Sequence, residues 1–282
     1  MKKFSTSPLP TGSIIRESSI FVRRNFGEIL RRTWLLAIIG YAMFNFFFGE
    51  YTIKLDGFLE APTQAHASIL LGLVSISVLL LLFVATLAVA AVTNLVLGHH
   101  QRSGLFSIHI GYQEFRLYAA SVRLLLLMIT LLALASLIGW AIQGTTLGYA
   151  VEAGIVAILV AIALRMGFLL PAVAIAEPRG VIIRRSWNLS EGIVPQLFLF
   201  TIAVALPGIV IEVLGELVVR ATRLLPILHA NGSLRDNIAV FRLTTPIFSI
   251  LFCVPVMLIT LLYAIASAKI YQARTGDPLS PN

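Results

Sequence analysis

Residues 165–192 read RMGFLLPAVAIAEPRGVIIRRSWNLSEG. An arginine stands inside an apolar run, Pro171 interrupts that run, and Glu177-Pro178-Arg179 closes it. A basic segment with one tryptophan follows, and after Gly192 the chain turns apolar again. This is the pattern of a chain that leaves a bilayer, lies along its surface and re-enters. Trp187 suits the head-group level because an indole joins an apolar body to a polar N–H.

The same alternation extends in both directions. Hydrophobic residues make up 58% of the 282, charged residues only 12%, and the mean hydropathy is +0.93. A soluble domain of this length has too little polar surface to cover that much apolar material. Runs near 34–50, 69–98, 120–140, 149–175, 194–216 and 244–268 approach or exceed the roughly 20 residues that span about 30 Å of hydrocarbon. Three basic amphipathic stretches, near 13–32, 102–116 and 177–193, lie between them. In the first, Ile15, Val22, Phe26 and Ile29 share one helical face, with Arg16, Arg23, Arg24 and Arg31 largely elsewhere. Such a helix rests in the interface with its arginines against anionic head groups. The expected fold is all-α: a polytopic membrane protein with six transmembrane helices and amphipathic interfacial helices on the cytoplasmic side. One membrane domain is expected over 13–268, between a flexible tail at 1–12 and a cytoplasmic C-terminal tail at 269–282.

The net charge of +8 is distributed unevenly. Fifteen of the 21 lysines and arginines fall on the side that holds both termini, five fall on the other side, and Arg165 is inside a span. This positive-inside bias is expected to place both termini in the cytoplasm. The basic residues flank apolar runs, so nucleic acid is not an expected partner. MKKFSTSPLP has no apolar core before Gly12, so the first run, near Trp34, is expected to serve as an uncleaved start-transfer segment. The single cysteine, Cys253, leaves no intrachain disulfide and no thiolate metal cluster.

An internal echo joins two of the basic stretches. With an offset of 153 residues, Gly27-Glu-Ile-Leu-Arg-Arg-Thr-Trp34 lies over Gly180-Val-Ile-Ile-Arg-Arg-Ser-Trp187 without a gap. Arg31, Arg32 and Trp34 are thus the counterparts of Arg184, Arg185 and Trp187, and Thr33 faces Ser186. A repeated unit, a basic surface helix followed by a hairpin of two spans, would occur three times in parallel, with 102–116 opening the divergent middle copy. Inverted repeats, common in secondary transporters, would run the other way.

Arg165 is the sharpest candidate for chemistry. Ala153, Ala157 and Ala161 precede it at steps of four, on a face suited to close helix packing. An arginine about ten residues, roughly 15 Å, inside a span is costly unless it snorkels or finds partners. Tyr41, Asn45, Thr130, Thr260 and Tyr263 are the polar residues at comparable depth. Two readings stand side by side. Arg165 is a structural residue bonded to a broken helix, or it binds a lipid head group or anionic solute with Tyr41, Asn45, Thr260 and Tyr263. Glu177 is expected to pair with Arg184, Arg185 or an arginine of the first surface helix, which would cross-link the cytoplasmic elements. His99 and His100 are adjacent and point in different directions, so they do not form a metal site. No metal, cofactor or catalytic constellation is read from the chain.

Arg165, Pro171, Glu177, Gly180 and the run Arg185-Ser186-Trp187 with Leu189 and Gly192 resemble a broad bacterial family. It comprises the YciC-like membrane proteins and the membrane domain ahead of some glycerophosphodiester phosphodiesterases. IIRESSIFVRRNFGEIL near the N-terminus is similar to that family's opening. The resemblance implies an all-helical, six-span inner-membrane domain with a role in envelope or lipid homeostasis. The phosphodiesterase relatives carry a separate soluble barrel, for which this chain has no room, so that activity is not carried over. The leading expectation is a non-enzymatic membrane protein that organises anionic phospholipid or a membrane protein partner. The alternative is a transporter or permease for an anionic or amphipathic solute that uses Arg165.

The topology is checked by cysteine labelling in intact cells after Cys253→Ala. A membrane-impermeant maleimide should label Lys54→Cys but not Ser5→Cys; the reverse pattern would invert the assignment.

Overall fold

The computed structural model describes residues 11–60, 62–98, 111–141, 146–177, 180–221 and 234–275. They form eight helices and, among the described residues, no strand. In chain order these are α1 (Thr11–Glu60), α2 (Gln64–Val96), α3 (Tyr112–Ala141), α4 (Thr146–Gly167), α5 (Leu170–Ala176), α6 (Ile182–Leu189), α7 (Val194–Ala221) and α8 (Leu234–Thr275). Six stretches are long and apolar enough to cross a membrane: Gly12–Leu55, Gln64–Val96, Tyr112–Leu137, Gly154–Ala176, Val194–Ile211 and Cys253–Thr275. The fold is therefore all-α with six membrane-spanning helices.

The boundaries differ from expectation in instructive places. The first surface helix and the first span are one helix, α1, broken only at Asn25 (φ −109°, ψ 17°). There the Asn25 side-chain amide donates to the Phe21 carbonyl at 3.1 Å, a local bond that competes with regular helix. The third span likewise grows directly from Tyr112, in the stretch expected to lie on the surface. Between the fifth and sixth spans, α7 continues to Ala221 and α8 begins at Leu234. The tail expected from residue 269 is helical to Thr275, and Ile270, Tyr271 and Arg274 are buried. Expectations for residues 1–10, 102–110, 276–282, His99, His100, His109, His229, Pro178, Arg179 and the turn at 231–233 lie outside the described residues.

Helices α1 and α2 pack together, as do α3 and α4, and α8 packs on α1, α2, α5 and α7. Thr63 starts α2 as an N-cap, its hydroxyl accepting from the His66 N–H at 3.2 Å. The core is concentrated at one end of the bundle. The buried residues of α2 run from Thr86 to Val96, and those of α8 cluster from Ala264 to Arg274. Leu117 and Ala120 near the start of α3, and Leu197 and Phe200 near the start of α7, join them. Toward the opposite end the helices present bare apolar side chains: Leu71 is 70% exposed, Leu137 65% and Ile158 61%. In water that surface would be a large liability; in hydrocarbon it needs no protein cover.

Helices α7 and α8 meet closely at Gly208. A Cβ there would collide with the Ile259 side chain and lie 3.4 Å from the Pro255 carbonyl oxygen. Gly208→Leu should therefore lower the thermal midpoint in detergent by the equivalent of about 1–3 kcal/mol of overpacking. Gly154→Leu, at an exposed helical position with open space around it, should not lower it.

Candidate functional site

The fourth span is broken, and the break builds the site. α4 ends at Gly167, two residues form a turn, and α5 begins at Leu170 with Pro171 in its first turn. Proline is favourable there because a helix start leaves its first N–H groups unpaired in any case. It has no N–H to offer the carbonyl four residues earlier, however, and that carbonyl belongs to Gly167. The Tyr263 hydroxyl of α8 donates to the Gly167 oxygen instead. The Arg165 carbonyl also takes side-chain donors, Ser190 Oγ at 3.0 Å and Ser186 Oγ at 3.3 Å. α5 itself is buried from Leu170 to Ile175. Its final residue is followed by Glu177, whose extended backbone (φ −109°, ψ 102°) is what the proline next in sequence demands.

From Gly180 to Ile193 the chain wraps the end of the bundle. Gly180 (φ 109°) and Gly192 (φ 76°) occupy left-handed backbone that only glycine adopts easily, and they bracket α6. Within α6, Ile182, Ser186 and Leu189 face inward at spacings of four and three. Trp187 lies beside them, and the Arg165 guanidinium stacks 3.8 Å from the centre of its ring. Arg165 Nη2 also reaches the Trp187 carbonyl at 3.4 Å, while Nε is buried without a hydrogen-bond partner. Stacking, more than a full set of hydrogen bonds, thus fixes this guanidinium.

Other elements clamp the same wrap. Glu177 Oε1 accepts from Arg185 Nε at 2.8 Å and from the Tyr271 hydroxyl at 3.1 Å. Arg116 of α3 donates to the Glu177 carbonyl at 2.9 Å and to the Gly180 carbonyl at 3.1 Å. Arg274 at the end of α8 donates to the Leu189 carbonyl at 3.1 Å and to the Glu191 carbonyl. Those carbonyls are at the C-terminal end of α6, where a helix leaves acceptors unpaired and favours a cation. Arg116, Tyr271 and Arg274 were not singled out from sequence. Their only sequence signal was their place among the charges beside apolar runs.

The expected ligand residues come from α1, α4 and α8. The Tyr263 hydroxyl donates to the Gly167 carbonyl at the α4 break, and the Arg165 guanidinium reaches the Trp187 carbonyl of α6. Tyr41 and Asn45 lie together on α1, where Asn45 Nδ2 donates to the Tyr41 carbonyl at 2.9 Å. The Thr260 hydroxyl donates within α8 to Val256 at 2.7 Å, and that of Thr130 within α3 to Leu126 at 2.9 Å. Of the three expected choices for Glu177, the ion pair is with Arg185, and Arg184 is exposed. The earlier arginine pair is held within its own helix: Glu28 bridges Arg31 at 3.0 Å and Arg32 at 2.7 Å. Among the described residues, no three His, Cys, Asp or Glu side chains come together as a metal site requires.

Comparisons of this chain with protein-family models, with curated proteins and with solved structures return no match.

Removing a clamp should destabilise in proportion to the acceptors it leaves bare. Tyr263→Phe should cost about 1 kcal/mol of stability and Arg274→Ala about 2–3 kcal/mol. Arg184→Ala should be neutral. Thermal unfolding in detergent, followed by the loss of monodisperse protein, ranks the three.

Proposed function

We propose that this chain is a non-enzymatic integral membrane protein that holds and organises anionic phospholipid around one end of its helix bundle. One observation carries the reading. Around the end where the core is dense, exposed arginines alternate with exposed large apolar side chains. Arg16, Arg23, Arg24, Arg31 and Arg184 are exposed. Ile20, Phe26, Leu30, Tyr112, Phe115 and Val181 are exposed on the same elements or on the neighbouring start of α3. Neither solvent nor hydrocarbon suits that mixture, whereas the head-group region suits both parts, and an anionic leaflet adds about 1 kcal/mol per basic residue near its surface. With the positive-inside bias, this end faces the cytoplasm of a bacterial inner membrane. The resemblance of residues 165–192 to the YciC-like membrane proteins supports the same placement.

Arg165 has a structural role in this reading. It joins α4 to α6 by stacking on Trp187, and its own carbonyl takes two serine hydroxyls. The transporter alternative needs a polar set gathered around Arg165; of the residues that sequence offered for it, Tyr263 bonds the Gly167 carbonyl, while Asn45 and Thr260 donate within their own helices.

Native mass spectrometry of the purified chain, exchanged into equal mixtures of phosphatidylglycerol and phosphatidylcholine, tests the proposal. Retention of the anionic lipid several-fold over the zwitterionic one is expected. Equal retention would overturn it.

A further inference from the structure

The sequence echo between residues 27–34 and 180–187 is also an echo in burial, and it runs further than the matched letters. Ile29, Thr33 and Leu36 are 3%, 0% and 4% exposed. Their counterparts 153 residues later, Ile182, Ser186 and Leu189, are 8%, 0% and 1% exposed. Both triplets follow the four-then-three step of one helix face. The outward positions agree as well. Arg31 and Arg184 are exposed, Arg32 and Arg185 are half-buried, and Trp34 and Trp187 are half-buried. Each half-buried arginine is fixed through its Nε by a glutamate, Arg32 by Glu28 at 2.7 Å and Arg185 by Glu177 at 2.8 Å. Each segment also begins just after a backbone break, Asn25 in one and Gly180 in the other. The glutamates come from unrelated positions, one in the preceding turn of the same helix and one beyond Gly180. The two segments thus reach one arrangement by different bonds.

We infer that the two segments are equivalent lipid-phosphate modules, each holding one anionic phospholipid at its outward arginine, Arg31 in one and Arg184 in the other. In each, a buried face of three residues anchors the helix to the bundle, and an ion pair fixes the second arginine. The outer arginine is at the surface, with an exposed apolar residue close in sequence though not at the matched position: Leu30 (47% exposed) one residue before Arg31, and Val181 (68% exposed) three residues before Arg184. A guanidinium next to apolar surface fits a phosphodiester with its acyl chains attached better than a free phosphate. Their main neighbours differ: α6 packs chiefly against α4 and α5, while α1 packs chiefly against α2 and α8 and also touches α7. Two lipids per chain follow, bound independently.

They are not equal in strength. Arg31 shares Glu28 with Arg32, its Nη2 lying 3.0 Å from Glu28 Oε2. Arg184, by contrast, makes no ion pair among the described residues. Its lipid is the tighter of the two.

The inference rests on the anionic-lipid reading, and one titration separates them. The full chain in detergent is titrated with phosphatidylglycerol and read by native mass spectrometry. Wild type should reach two tightly retained lipids, Arg184→Gln should lose the tighter and Arg31→Gln the weaker. The double variant should keep neither, and Arg16→Gln, an exposed arginine outside both modules, should keep both. Both substituted side chains are at the surface, and an unchanged thermal midpoint confirms that each variant is folded. If wild type prefers phosphatidylglycerol but the two variants retain it unchanged, the modules are wrong and the broader reading stands. Loss of both lipids by either single change would replace two modules with one shared site and overturn the inference. Equal binding of phosphatidylcholine by wild type would remove both readings.

Discussion

Two carbonyls without helical partners, those of Arg165 and Gly167, govern the end of this bundle. A buried carbonyl far from water must find a donor, and failure costs about as much as a lost hydrogen bond. Pro171 withdraws the donor that Gly167 would use, and the turn after it separates α4 from α5. Ser186, Ser190 and Tyr263 supply hydroxyls in place of the missing N–H groups. These three residues lie on or just after α6 and on α8, so satisfying one broken helix fixes two others. The short buried helix α5, with six of its seven residues shielded, is the plug around which that end of the bundle closes.

The arginines divide into two groups according to what they touch. Arg116, Arg165 and Arg274 turn inward to backbone carbonyls of Glu177 and of the 180–193 wrap and act as multi-donor clamps. A planar guanidinium with five N–H groups suits this work, and a lysine would not reproduce the two-carbonyl grip of Arg116 or Arg274. Arg16, Arg23, Arg24, Arg31 and Arg184 turn outward. A count of positive charge treats both groups alike, although only the second is exposed at the surface. The inward group explains how a strongly basic end stays folded: those charges are spread over carbonyl dipoles and the Trp187 ring rather than crowded together.

The uneven distribution of burial follows from the solvent. Hydrocarbon gives helices no hydrophobic reason to associate, so apolar stretches such as Leu71, Leu137 and Ile158 remain bare. Tight packing appears where the chain must satisfy polar groups or where small residues permit close approach, as at Ala90 on α2, Ala264 and Ala268 on α8, and Gly208 on α7.

Sequence alone determined the helical class, six apolar spans and their alternation with basic amphipathic segments, because hydropathy over 20 residues is a local property set by the bilayer's thickness. It also narrowed the partner of Glu177 to Arg184, Arg185 or an arginine of the first surface helix, and showed the echo of residues 27–34 at 180–187. Only the tertiary structure decided that Arg165 stacks on Trp187, that Tyr263 completes the Gly167 carbonyl, and that Tyr41, Asn45 and Thr260 have local bonds within their own helices. It likewise brought in Arg116, Tyr271 and Arg274 from helices 61 to 94 residues away in sequence. The physical reason is one of range. A span is specified by the polarity of its own residues, whereas a freed carbonyl is satisfied by whichever donor the packing of several helices delivers. No periodicity in the chain records that choice.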